Sequence, residues 1–161
     1  MNVISNTSPL CSLLLIDQVS LLPALFGELF IPEAVSIELR DKGAPEAIRQ
    51  WMDPPPTWLK IVPVSAKSDP MLSHLHRGEQ EAILLGEQIS ADLLLLDEKA
   101  ARRAAIERGF NVTGLLGILD RAATVRLIDL PTVLSRLNQT NFRIAPRLLK
   151  IVLDKHYPEL E

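Results

Sequence analysis

Hydrophobic positions along the chain follow two rhythms. Short apolar runs of strand length fall at VIS (3–5), ELFIP (28–32), LKIVPV (59–64), DLLLLD (92–97) and FNVTG (110–114). Between them apolar residues recur with helical spacing. These segments predict helices over 8–16, 20–27, 32–43, 44–53, 78–89, 98–109, 115–125, 131–139 and 145–157. Several carry start and stop signals. Pro9 and Pro32 stand in first turns, where a missing N–H costs nothing. Gly27, Gly43 and Gly109 stand where helices should end. Pro63 marks 59–64 as a strand near an edge. DPPPTW (53–58) reads as a rigid connection, and AKSDP (66–70) as a polar one.

Strands alternating with helices imply βαβ units, hence a parallel sheet covered by helices on both faces. The unbroken leucines of 93–96 fit such a sheet, whose central strands are buried on both sides. In open parallel sheets, sites lie beyond the carboxyl ends of strands. Two polar clusters sit there. VIS ends at Asn6-Thr7-Ser8, and the leucine run ends at Asp97-Glu98. Both can meet at one crevice.

The length of 161 residues fits one domain, here 1–161, with 141–161 as a C-terminal helical tail. Apolar residues make up 47% but aromatics only 4%, so aliphatic side chains must fill the core. No apolar run approaches the ~20 residues needed to span a bilayer, and the start lacks the pattern of a signal peptide. The expectation is a cytoplasmic protein with no membrane partner. Cys11 is alone, so no disulfide forms within the chain, and a buried apolar role suits it better than reactivity.

Charge is uneven. Residues 1–98 carry a net of −8 and residues 99–161 a net of +5. An acidic half beside a basic half suits a carboxylate metal site next to a phosphate-binding surface. Two solvated faces of opposite sign would look the same.

The acidic candidates each have a structural role to weigh against a chemical one. Asp97 ends a buried strand, where a carboxylate is costly unless paired or metal-bound; it could equally cap the next helix. Glu38 lies over the apolar face made by Ala34 and Val35, at its edge. Glu79 and Glu81 open a helix, where acids complement its dipole. Glu79 shares a face with Ala82, Ile83 and Gly86, which favours it as the inward one. There is no G-x-G-x-x-G, no P-loop and no G-x-S-x-G elbow. His74 and His76 without cysteines nearby make a poor zinc inventory. An oxygen-rich set remains, suited to Mg²⁺ or Mn²⁺.

In order and spacing, VISNTSPL, FIPEAVSIEL, GEQEAI, ADLLLLDEKAARRAA and FNVTGLLGIL resemble the PIN-domain family. The similarity is to a PIN-like branch opening with V-I-S-N-T-S-P-L, and covers nearly the whole chain. It implies a three-layer α/β/α sandwich with a central parallel sheet. It implies a Mg²⁺- or Mn²⁺-dependent endoribonuclease, with RNA as substrate, like the VapC toxins of toxin–antitoxin pairs. It also implies a small antitoxin partner and a homodimer. Carried over by position, the acids fall on Asn6, Glu38, Glu79 or Glu81, and Asp97. Thr7, Ser8 and Glu98 fall beside them as supporting residues. Lys99, Arg102, Arg103 and Arg108 follow Asp97 on one helix and are candidates for phosphate contacts. Lys99 and Arg103 share a face and Arg102 lies on another. Asn6 is the departure: an amide oxygen can ligate a hard cation but brings no charge. That substitution supports a second reading, a non-catalytic module of the same fold that binds RNA or a protein.

Overall fold

The five short apolar runs form five strands in a single all-parallel sheet. In a computed structural model, which describes residues 1–158, these are β1 (Val3–Ser5), β2 (Leu29–Pro32), β3 (Leu59–Val62), β4 (Leu93–Leu95) and β5 (Val112–Thr113). The strand order is β3-β2-β1-β4-β5. Register is set by pairs such as Ile4 with Phe30, Ile4 with Leu94, Ile31 with Ile61 and Leu95 with Thr113. β3 lies at an edge and stops at Val62, before the proline that cannot donate to a ladder.

Strand order explains the location of the crevice. From β1 the chain moves outward one way through β2 and β3, then returns to lay β4 on the other side of β1. The switch point is therefore between β1 and β4, where ligands of parallel α/β sheets bind. The Asn6 N–H still donates to the Leu95 carbonyl at 3.1 Å, so pairing runs right up to the two polar ends.

The helices are α1 (Thr7–Leu15), α2 (Leu21–Phe26), α3 (Glu33–Arg40), α4 (Glu46–Trp51), α5 (Arg77–Ile89), α6 (Lys99–Glu107), α7 (Leu115–Thr124), α8 (Leu130–Asn138) and α9 (Pro146–His156). Each expected helix is present, with ends shifted by no more than three residues. α3 stops at Arg40 because Asp41 is extended, leaving Gly43 in the turn beyond. Gly109, at φ 88°, sits just past α6 in a left-handed conformation that favours glycine. One short element was not anticipated, a 3-10 turn at Pro70–Leu72, whose backbone the Asp69 carboxylate caps at Met71.

Side chains on the strands alternate between faces. Ile4, Leu94 and Leu96 pack with Ala82, Ile83 and Leu85 of α5 and with Ala101 and Ala105 of α6. Val3, Ser5, Leu93 and Leu95 take the other face and are buried as well. This is the α/β sandwich that the pattern implied. The chain divides into two compact units, Met1–Leu115 and the segment from Leu116 on. The sheet, α1 to α6 and every sequence-derived site residue lie in the first. The tail expected at 141–161 falls in the second; its helix is α9, and residues 159–161 lie outside the described part. No described helix is long and apolar enough to cross a membrane.

Candidate active site

The stretch Asn6-Thr7-Ser8 divides its labour by direction. The chain leaves β1 at Asn6 and turns at once into α1, whose first turn takes Pro9 without loss of a hydrogen bond. The Thr7 hydroxyl donates to Glu38 Oε2 at 2.7 Å. The Ser8 hydroxyl donates to Asp97 Oδ2 at 3.3 Å. Two adjacent hydroxyls thus hold two acids that are 59 residues apart in the chain. Asn6, between strand and helix, is only 5% exposed.

Asp97 lies two residues past the end of β4. Its Oδ1 accepts the Leu115 N–H at 2.7 Å, the residue at which α7 begins. It does not cap the helix that follows it; Glu98 holds that position without a side-chain bond. Burial pushes the Asp97 carboxyl above its ordinary range. The Leu115 N–H, the Ser8 hydroxyl and the Arg102 charge oppose this without cancelling it, and the Glu98 charge adds to it. Gly114 makes the arrangement possible. A Cβ there would stand 2.9 Å from Asp97 Oδ1 and 3.6 Å from an Arg102 guanidinium nitrogen.

Glu38 comes from α3, half-buried, and Glu79 from the first turn of α5, buried. Gly78, just before Glu79, brings the α5 backbone against the first two residues of the set. A Cβ on Gly78 would clash with Glu38 Oε1 and stand 3.3 Å from Asn6 Oδ1. Both oxygens therefore flank the same α-carbon. Glu79 Oε1 accepts the His76 N–H at 3.1 Å, closing a turn at the helix start. Its other oxygen, Oε2, is buried without a hydrogen-bond partner among the described residues. A buried carboxylate oxygen left unpaired is costly.

Glu81 points elsewhere. Its Oε1 accepts the Ala34 N–H at 3.1 Å in the first turn of α3, and its Oε2 takes Arg77 Nε at 3.1 Å. This ties α5 to α3. Among the basic candidates, Arg102 lies beside Asp97 and Gly114. Arg103 pairs with Glu107 on the exposed side of α6, and Arg108 is held by Asp69 at 2.6 Å and Glu87 at 2.9 Å. Cys11 is close enough to Glu38 for its charge to add to burial, which together push the thiol up to about 11. It stays protonated and inert. Gly78, Gly114 and the Leu115 N–H escaped the sequence reading. The signal for the two glycines was present, each next to a candidate acid or at the end of β5, but only close approach in space gives it meaning.

A family model for the PIN domain matches residues 2–157. This chain belongs to the PIN-domain family. The match runs through both compact units. The fold is also similar to that of a PilT N-terminus domain protein, SSO1118, from the hyperthermophilic archaeon Sulfolobus solfataricus P2. That similarity has a TM-score of 0.56 at 18% identity and covers 76% of this chain and 93% of the other. No curated protein sequence matches the chain.

The donor set of this PIN domain is all oxygen, which suits a hard divalent cation. Among the described residues, no three Asp, Glu, His or Cys side chains are drawn into a closed ligand group. What is gathered is the Asn6 amide with Glu38 against Gly78; the unpaired oxygen belongs to Glu79, the next residue in the chain. The residues fit a hard cation in kind, with one charge fewer than four acids would bring.

Proposed function

We propose that this PIN domain is a Mg²⁺- or Mn²⁺-dependent endoribonuclease. The observation that carries the reading is Glu79 Oε2, a buried carboxylate oxygen without a partner among the described residues, on the residue that follows Gly78, whose α-carbon Glu38 and Asn6 flank. Asn6, Glu38, Glu79 and Asp97 would hold the cation. When bound, the cation supplies charge to a phosphodiester under attack and lowers the pKa of the attacking water. The Thr7 and Ser8 hydroxyls fix the rotamers of Glu38 and Asp97, so little reorganisation is needed during reaction. Arg102, beside Asp97, offers a guanidinium to a phosphate oxygen. Glu98, exposed next to Asp97, adds negative potential without a bond of its own.

The resemblance to VapC toxins supports the role of toxin in a toxin–antitoxin pair, with a small antitoxin as partner. Homodimerisation belongs to the same reading; Leu148 and Ile151, exposed and one turn apart on α9, are apolar surface available to it.

The second reading, a module that binds RNA or a protein without cleaving, is favoured by Asn6 and by the absence of three clustered acids among the described residues. Calorimetric titration with Mn²⁺, with cleavage of single-stranded RNA followed in parallel, separates the two. If Asn6 is a weakened ligand, Asn6→Asp tightens Mn²⁺ binding by about tenfold, since ligand charge sets affinity for hard cations, and it speeds cleavage. No heat from wild type or Asn6→Asp at millimolar Mn²⁺ would end the nuclease reading.

A further inference from the structure

A cavity of about 570 Å³ lies between the 3-10 turn at Pro70–Leu72 and the outer face of α6. Met71, Leu72 and Ala104 supply an apolar wall, His74, Lys99 and Arg103 supply polar and cationic edges, and Glu107 adds one carboxylate to the lining. Arg108 at its end is already neutralised by Asp69 and Glu87. Lys99 and His74 are exposed and make no side-chain hydrogen bond or ion pair among the described residues. Arg103 holds only an exposed contact to Glu107 at 3.7 Å, which an anion can replace. Met71, 77% exposed, has its thioether side chain open to a ligand.

We infer that this cavity is a subsite for one nucleotide of single-stranded RNA, flanking the phosphate that Arg102 would contact beside Asp97. The inference rests on the nuclease reading for its position, and on the cavity's own chemistry for its occupant. An apolar wall with an imidazole beside it accepts a nucleobase face, because every base stacks on flat or polarisable side chains. Two cations one helical turn apart accept the phosphates on either side. The cavity opens along the same helix that starts two residues after Asp97, so a strand lying on α6 passes from one to the other. Helical spacing splits the basic residues between the two places. Arg102 faces Asp97, while Lys99 and Arg103 face the cavity.

The test is equilibrium binding of a fluorescent single-stranded RNA decamer to the full chain in EDTA, over a series of salt concentrations. For Lys99→Gln/Arg103→Gln, affinity is expected to fall about tenfold and the slope of log K against log salt to lessen by about 1.4, the value for two lost phosphate contacts on a single strand. For His74→Ala, affinity falls severalfold with the slope unchanged, since a stacking contact releases no counterions. All three side chains are exposed, and thermal melts verify the fold. Affinity within twofold of wild type for both variants overturns the subsite. So does adenosine monophosphate displacing the decamer at equal concentration, which would make the cavity a free-nucleotide site. Because no metal is present, the nuclease reading can fail in its own titration while this one stands, and the reverse.

Discussion

Asp97 and Asp120 are both partly buried carboxylates, and burial raises the pKa of each. In the first unit Asp97 accepts from a backbone N–H and a serine hydroxyl and has the Arg102 guanidinium nearby without an ion pair, and its pKa stays above the ordinary value. In the second unit Asp120 accepts from His156 Nε2 at 2.6 Å and from Lys155 Nζ at 3.1 Å, and its pKa ends below it. The difference is direct contact with a cationic side chain. Asp120 on α7 has both partners on α9 and joins the two helices. Asp97 has neutral hydrogen-bond partners that orient it, and the Arg102 charge offsets its burial only in part. The unpaired oxygen of Glu79 belongs to the same pattern. Buried polar side chains among the described residues are Ser5, Asn6, Ser36 and Glu79, all in the first unit. The second unit uses the Asp120 charge to tie two helices together, while the first unit leaves Asp97 without an ion pair and one Glu79 oxygen without a partner among the described residues.

The strongest way to break this comparison is by activity. Asp97→Asn should lower Mn²⁺-dependent RNA cleavage by at least about 100-fold, the scale of losing a preorganised charge contact. Asp120→Asn should leave it within about twofold. Equal losses in both, measured on folded protein with a labelled RNA, would remove the distinction.

A smaller effect is expected at Gly78. Gly78→Ala puts a methyl where Glu38 Oε1 lies, so Glu38 must swing away from Thr7 and Asn6. Mn²⁺ affinity by calorimetry should drop about tenfold. Stability should change little, because alanine gains roughly 1 kcal/mol over glycine in a helix, which offsets the displaced contact. Unchanged Mn²⁺ affinity would separate Glu38 from the site.

The smallest effects are in stability against pH, and their signs are opposite. Asp97 has a raised folded pKa, so the metal-free fold holds its proton more tightly than the unfolded chain. Its contribution is most favourable below the ordinary carboxylate value of 3.8 and is lost as pH rises through the raised value. Asp97→Asn should therefore raise the Tm at pH 7 and gain nothing at pH 3. Asp120 has a lowered pKa, so its stabilisation is present above 3.8 and lost as pH falls through the lowered value. Asp120→Asn should lower the Tm at pH 7. Thermal melts at the two pH values check both, and shifts of the same sign would show the two carboxylates to be alike.

Much of the fold was legible because its signals are local. Run length separates the strands from the helices, and prolines and glycines place their ends. Helical spacing favoured Glu79 over Glu81 as the inward residue without deciding between them as site residues, and Glu79 is the buried one. The split of Arg102 from Lys99 and Arg103 followed from the same rule. The 3-10 turn at Pro70–Leu72 was missed because three residues carry no period.

By itself, then, the sequence determined which residues end which strands, and so put Asn6 and Asp97 at carboxyl ends. Only the tertiary structure decided that β1 and β4 are neighbours, since pairing order depends on long-range packing. It alone divided Thr7 from Ser8 between Glu38 and Asp97, and sent Glu81 to the start of α3. It alone revealed that Gly78 and Gly114 matter for the side chains they leave room for. Each of these is a contact between segments far apart in the chain, and periodicity carries no information about distance in space.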